Sequence, residues 1–109
     1  MPAQYKKLVH DARTNFVLEL TVLDGNDNPV DQSTNTYTLN LFETGKTVPA
    51  FTYSGISNGN VVTFDVDVDT TALWDLGKYA YNVDYEEAST GRIKRRMYGP
   101  LDIRSGTDV

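Results

Sequence analysis

Val61-Val62-Thr63-Phe64-Asp65-Val66-Asp67-Val68-Asp69-Thr70 is the stretch that decides the fold class. Val62, Phe64, Val66 and Val68 fall on one parity, and Thr63, Asp65, Asp67 and Asp69 on the other. A period of two lays the apolar set on one face of a pleated strand and the carboxylates on the opposite face. A helical period would mix the two sets. Residues 61–70 therefore read as a strand with one buried and one solvated face.

The same alternation recurs on both sides of this stretch. In 15–24, Phe16, Leu18, Leu20 and Val22 share a face, with Glu19 and Thr21 opposite. Gly25-Asn26-Asp27-Asn28-Pro29 then breaks the strand, because Gly and Asn accept positive φ and Pro29 has no N–H for a ladder. Residues 35–44 set Tyr37, Leu39 and Leu41 against Thr36, Thr38 and Asn40, and Gly45-Lys46 is a turn. Residues 49–54 read as a short strand whose Pro49 argues for a sheet edge. Residues 55–60, rich in Gly, Ser and Asn, read as a loop.

Residues 70–76 are expected to form one helical turn, with Thr70 or Thr71 as N-cap and Gly77 ending it. In 78–87, Tyr79, Tyr81, Val83 and Tyr85 share a parity, and Ser89-Thr90-Gly91 closes a hairpin. Residues 92–98 and 101–104 form a last strand, with a bulge or bend expected at Gly99-Pro100. Residues 4–10 read either as a first strand or as an arm that docks on a neighbour, and 105–109 as a frayed, flexible tail. Six or seven strands with turns every 8–12 residues point to an all-β fold. The expected architecture is one domain over 1–109, an immunoglobulin-like antiparallel β-sandwich of about seven strands. One short helical turn precedes its penultimate strand.

Composition narrows the classes of function. The chain has 109 residues, of which 39% are hydrophobic and 23% charged, with seven Tyr, four Phe and one Trp. That fills one sandwich core. The net charge of −5 repels phosphate backbones and argues against nucleic-acid binding. Without cysteine, zinc fingers, thiol catalysis and disulfides are excluded. No apolar run approaches the roughly 20 residues of a membrane span. Met1 to Lys7 lacks the apolar segment of a signal peptide, so synthesis in a cytoplasm is expected.

Each motif with a chemical reading has a plainer structural one. Asp65, Asp67 and Asp69 resemble a metal cluster, but alternate residues on a strand stand about 7 Å apart, too far to share one ion without a bend. The EF-hand pattern fails too, since Leu76 occupies the place of the closing glutamate. A solvated strand face is preferred. Asp24 to Asn28 resembles the calcium linker of cadherins, yet a hairpin turn accounts for every residue.

The basic cluster Arg92, Lys94, Arg95 and Arg96 has three readings. The preferred one is charge pairing, with Asp65–Asp69 or with Glu86 and Glu87 across the hairpin. The others are contact with an acidic partner surface and a nucleic-acid groove. Alternation puts Lys94 and Arg96 on one face and Arg95 on the face that Ile93 and Met97 mark as inner. His10, the single histidine, reads as a surface or strand-edge residue. Ser33, Ser54, Ser57 and Ser89 lie in turn-like stretches without a base. Trp74, Tyr79, Tyr81, Tyr85 and Tyr98 could stack on sugars, but the core reading is preferred, with Leu73, Trp74 and Leu76 plugging one end of the sandwich. No catalytic, cofactor or metal residue is assigned.

Two stretches carry a resemblance. Asp69 to Val83 offers a helical turn, then Gly77-Lys78-Tyr79-Ala80-Tyr81-Asn82-Val83 opening a strand, followed by a hairpin and Gly99-Pro100-Leu101-Asp102-Ile103. Phe16 to Val30 offers an apolar strand and then Asp-Gly-Asn-x-Asn-Pro-Val. Together they resemble the small immunoglobulin-like modules of tailed-bacteriophage virion proteins, above all the N-terminal domain of phage baseplate upper proteins and similar capsid-decoration and tail modules. In such modules the tyrosine that opens the strand resembles a tyrosine corner.

The resemblance implies a non-enzymatic structural or accessory protein of a virion. It would bind capsid, neck or tail proteins as a homo-oligomer or symmetric array, without cofactor, nucleic acid or membrane. The chain ends at Val109 with no receptor-binding extension, which suggests a stand-alone accessory protein. The termini are the expected docking elements, with residues 1–9 adding a strand to a neighbour's sheet. The rival reading is a carbohydrate-binding or adhesion module with exposed aromatics at one loop end.

Overall fold

The computed structural model describes residues 3–104. The expected tail, 105–109, and the first two residues of the expected arm lie outside that range. The elements run β1 (Gln4–Tyr5), β2 (Leu8–Asp11), β3 (Phe16–Thr21), β4 (Thr36–Glu43), β5 (Phe51–Ser54), β6 (Ile56–Asn58), β7 (Val61–Val66), α1 (Val68–Thr71), β8 (Gly77–Glu86) and β9 (Ile93–Arg104). Strands form two sheets, as the alternation requires. The larger is ordered β1-β9-β8-β4-β5, with β2 also on β9, and the smaller is β3-β7-β6. The inner faces enclose one core that includes Phe16, Leu18, Tyr37, Leu39, Leu41, Val62, Phe64, Tyr81, Val83 and Leu101. This is the expected two-layered sandwich, with its single short helix ahead of the last two strands.

Four elements differ from the expectation. Residues 55–60 are not all loop: Ile56–Asn58 pairs antiparallel with β7 across a tight turn at Gly59, whose φ is 63°. Gly55 is where the chain passes from the larger sheet to the smaller, and an added Cβ there would meet Phe64 and Val62 side-chain atoms at 3.0 Å.

The strand at 61–70 ends early, at Val66 paired with Phe16. Asp67 turns out of the ladder and caps α1, its Oδ1 accepting from Thr70 N–H at 2.9 Å. A short carboxylate offers the backbone an alternative to the ladder, and the helix starts there rather than at Thr70 or Thr71. Of the expected plug, Trp74 is buried, while Leu73 and Leu76 stay exposed.

β9 is continuous through Gly99-Pro100. The interruption falls instead on its neighbour. β1 and β2 run parallel to β9 in a single register, Gln4 with Met97 and Leu8 with Leu101, and the ladder divides at Lys6-Lys7 opposite the N–H that Pro100 lacks. Residues 4–11 are therefore strands of the chain's own sheet, the first of the two alternatives, and not a free arm. The irregularity lies one turn of the ladder away, between Val83 and Asp84, where Met97 pairs with Val83 and Arg95 with Asp84. Arg96 is the extra residue. The bulge resets the parity, so Arg95 faces outward and Ile93, at 72% exposure, is not an inner residue.

Candidate functional site

The loops gather at two ends. At one end lie 12–15, 44–50 and 67–76; at the other lie 22–35, 59–60 and 87–92. The residues with a chemical reading divide between these ends and the outer face of the larger sheet.

The acidic candidates separate. Asp65 stands on β7 opposite Val17, Asp67 caps α1, and Asp69 sits in its first turn. No three His, Asp or Glu side chains among the described residues converge to hold a metal. Asp24 closes a turn: its Oδ1 accepts from Asn26 N–H at 2.8 Å and Asn28 N–H at 3.0 Å, and Asp27 adopts φ 62°. Those two N–H groups hold the Asp24 carboxyl below the usual carboxylate range. The hairpin account of 24–28 is thus supported by the geometry.

The basic cluster is dispersed by the bulge. Lys94 reaches Glu87 at 2.8 Å and Arg95 reaches Asp84 at 3.0 Å. Pairing across the hairpin is realised with Glu87; Asp65 to Asp69 belong to the opposite sheet and its end. Both pairs are largely solvent-exposed, so water and salt screen them and they add little to stability. Arg96 turns inward. Its guanidinium lies 4.5 Å from the centroid of the Tyr85 ring, which stacks in turn on Tyr37.

That inward turn builds a polar cluster invisible in the sequence. Arg96 Nη2 donates to Tyr37 Oη at 3.2 Å, Tyr37 donates to Gln32 Oε1 at 2.6 Å, and Asn35 Nδ2 donates to the same oxygen at 3.1 Å. Gln32, only 2% exposed, passes Nε2–H to the Val30 carbonyl at 3.0 Å. Arg96 Nε is buried without a partner among the described residues. Burial raises the Tyr37 pKa against the opposing pull of the guanidinium, so the hydroxyl is a neutral relay. The cluster floors a cavity of about 380 Å³, also lined by Val22, Val30 and Lys94. It holds the long loop 22–35 against β4 and β9. Gln32 Oε1 and Tyr37 Oη each accept within it.

The opposite end is aromatic. His10 lies on edge strand β2, as expected, but it is buried rather than on the surface. Its ring meets Phe16 edge-on at 5.2 Å and Trp74 at 5.6 Å, and Nε2–H donates to the Thr14 carbonyl at 3.2 Å. Desolvation lowers its pKa, opposed by the Thr14 hydrogen bond and by Asp11. Trp74 Nε1–H donates to Tyr53 Oη at 2.7 Å, and the Tyr79 hydroxyl accepts from Asp75 N–H at 2.9 Å. This second bond fixes the entry of β8 from four residues upstream, the geometry of a tyrosine corner. Tyr79 and Tyr81 are core residues, as expected. Ser54 and Ser57 prove to lie on β5 and β6, while Ser33 and Ser89 lie in turns. Ser33 Oγ donates to Asp31 Oδ2 at 2.9 Å.

The outer face of the larger sheet carries a row that crosses five of its six strands. Tyr5 pairs with Tyr98, Tyr98 with Asn82, Asn82 with Asn40, and Asn40 with Thr52. Asn40 Nδ2 donates to Asn82 Oδ1 at 2.9 Å, and Thr52 Oγ1 donates to Asn40 Oδ1 at 3.1 Å. Tyr5 and Tyr98 meet edge-on at 5.5 Å and remain 62% and 40% exposed. No helix among the described residues is long and apolar enough to cross a membrane. Compared with protein-family models and with curated proteins, the chain matches none.

Proposed function

We propose that this chain is a non-enzymatic structural module of a tailed-bacteriophage virion, an immunoglobulin-like sandwich that binds capsid, neck or tail proteins in symmetric copies. The observation that carries the reading is the placement of the resembling residues. Asp24 to Val30 forms the turn after β3, Gly77 to Val83 opens β8 behind the Tyr79 corner, and Gly99 to Ile103 continues β9. That order of turn, strand and hairpin is the one the resemblance to such modules implies. The dispersal of Asp65, Asp67 and Asp69 and the burial of His10 favour a building block over a catalyst.

A docking module needs an apolar surface to bury, and standard interfaces remove about 800 Å² from each partner. The α1 end supplies one: Val48, Leu73 and Leu76 are exposed on neighbouring loops beneath the Trp74 cluster. Residues 4–11 are already paired with β9, so the α1 end takes the docking role expected of an N-terminal arm. The virion is then the site of action, reached after synthesis in the host cytoplasm.

Rebinding tests this. Particles from a phage deleted for the gene should lack the chain. They should recover it, saturably and in a fixed ratio to one major structural protein, when purified chain is added. The double variant Leu73→Asp, Leu76→Asp should fold and fail to rebind. Particles that never take up the wild-type chain would overturn the proposal.

A further inference from the structure

We infer that the outer face of the larger sheet is a binding site for a neutral oligosaccharide laid along the row Tyr5-Tyr98-Asn82-Asn40-Thr52. The inference is independent of where the chain resides, since it rests on this face alone. Three properties of the row carry it.

The first is register. Five residues on five different strands fall on one line because the Cα pairings connect them in sequence. Adjacent strands lie about 4.8 Å apart, so the row is roughly 19 Å long. It is a straight track, long enough for several sugar rings. The parallel row Pro100-Ala80-Phe42 borders it, and a trough of about 580 Å³ opens over the Tyr5-Tyr98-Asn82 end, between the row and residues 43–46. That volume is within the usual range for ligand sites, about 300–1,000 Å³.

The second is chemistry. One end of the track is aromatic, and exposed tyrosine rings offer π-faces to the axial C–H groups of a sugar. The rest is amide and hydroxyl. Asn82 is only 7% exposed and serves to orient Asn40, so Asn40 and Thr52 present the free donors and acceptors: each has more than the bonds Asn40–Asn82 and Thr52–Asn40 consume. Those same bonds fix the side-chain orientations before any ligand arrives, so little rotamer entropy is lost on binding. Sugar hydroxyls both donate and accept, which suits such a row. An apolar protein surface would bury the amides without partners.

The third is charge. The track contains no ionised side chain. Beside it, Arg95 is neutralised by Asp84 at 3.0 Å, while Glu43, Lys46 and Lys78 line the trough over its tyrosine end. The lining of the trough is thus of mixed sign and makes no concentrated cation site, and the net charge of −5 repels an anionic glycan at range. The same net charge opposes a second copy of the chain, which is the other occupant a flat face invites. A neutral glycan meets neither objection.

The test is an NMR titration of the full chain with linear hexasaccharides of β-1,4-glucose, β-1,3-glucose, α-1,4-glucose and β-1,4-mannose. At least one should bind saturably, with amide shifts concentrated at Tyr98, Asn82, Asn40 and Thr52. Tyr98→Ala and Asn40→Ala should each weaken that binding roughly tenfold or more, and Leu73→Ser at the α1 end should not change it. Tyr5→Ser, at a position already largely in solvent, serves if Tyr98→Ala fails to fold. The inference is overturned if none of the four sugars shifts these amides, or if the shifts map to another face. It is also overturned if the same amides move on dilution without sugar, which would assign the face to a second copy.

Discussion

Gly99 is the residue whose replacement tests the packing of the N-terminal strand most sharply. A Cβ built on Gly99 falls inside contact distance of the Lys6 carbonyl oxygen and 3.0 Å from its carbonyl carbon. Both are backbone atoms, so no rotamer change relieves the clash. The φ of 154° is also one that L side chains avoid. In Gly99→Ala, β1 has to leave β9. The Lys6 N–H to Tyr98 carbonyl bond at 2.9 Å is lost, and so is the Tyr81 hydroxyl to Lys6 carbonyl bond at 2.6 Å. Burial pushes the Tyr81 pKa up to about 12, so the hydroxyl is a permanent donor that loses its acceptor.

Two hydrogen bonds at about 0.5–1.5 kcal/mol each, plus about 1–2 kcal/mol of backbone strain, give a loss of roughly 2–5 kcal/mol. For a domain of this size that lowers Tm by roughly 10–30 °C. Urea denaturation should show a lower midpoint at nearly constant m, and hydrogen exchange should show the Lys6 amide deprotected. Gly25→Ala is the control: nothing lies within 4 Å of its added Cβ, and it should stay within about 0.5 kcal/mol of wild type. If Gly99→Ala is equally silent and Lys6 stays protected, the parallel pairing of β1 with β9 is wrong.

Three further outcomes are expected. Gln32→Ala removes the acceptor of both Tyr37 and Asn35 in a buried site, and should lower stability by about 2–3 kcal/mol in a denaturant titration. Asp67→Ala deletes the N-cap of α1 and should lower stability measurably, with faster exchange confined to Val68–Thr71 and the residues that follow. The lowered pKa of His10 means that the unfolded chain takes up its proton first, so the stability this group contributes is complete above its ordinary value near 6.5 and falls as pH drops toward the folded value. His10→Gln should flatten the stability profile between pH 6.5 and 5, a window above the main carboxylate titrations; an unchanged slope would show that another group carries it.

The sandwich was legible because its core residues alternate without interruption. Phe16-Val17-Leu18, Tyr37-Thr38-Leu39-Asn40-Leu41 and Val62-Thr63-Phe64 each state a face, and the structure buries the faces they state. Alternation carries no information about register, and the features that were missed depend on register. Parity counted back from Met97 puts Arg95 inside, because the sequence does not mark the bulge that intervenes. Asn40, Asn82 and Thr52 read as ordinary outward residues until the pairings set them side by side. β6 was hidden because Ile56-Ser57-Asn58 is short and lies between turn residues, and only its pairing with β7 makes it a strand. Asp67 does carry a local signal. A short acidic residue three positions before Thr70 is a cap signature, and here it outweighs the alternation that runs on through Val68. Gln32 had no signal at all, since its burial depends on a loop folded over the end of β4.

The central claim is that this chain works by assembly, as a rigid sandwich fixed to a larger particle. Imaging gradient-purified particles at a resolution that separates β-sheets tests it most directly. Density matching the two sheets should appear at every symmetry-related copy of one junction, with the loops around Val48, Leu73 and Leu76 turned into the neighbouring protein. Particles whose every density is accounted for by other proteins, while the chain remains unassembled in the lysate, would contradict it.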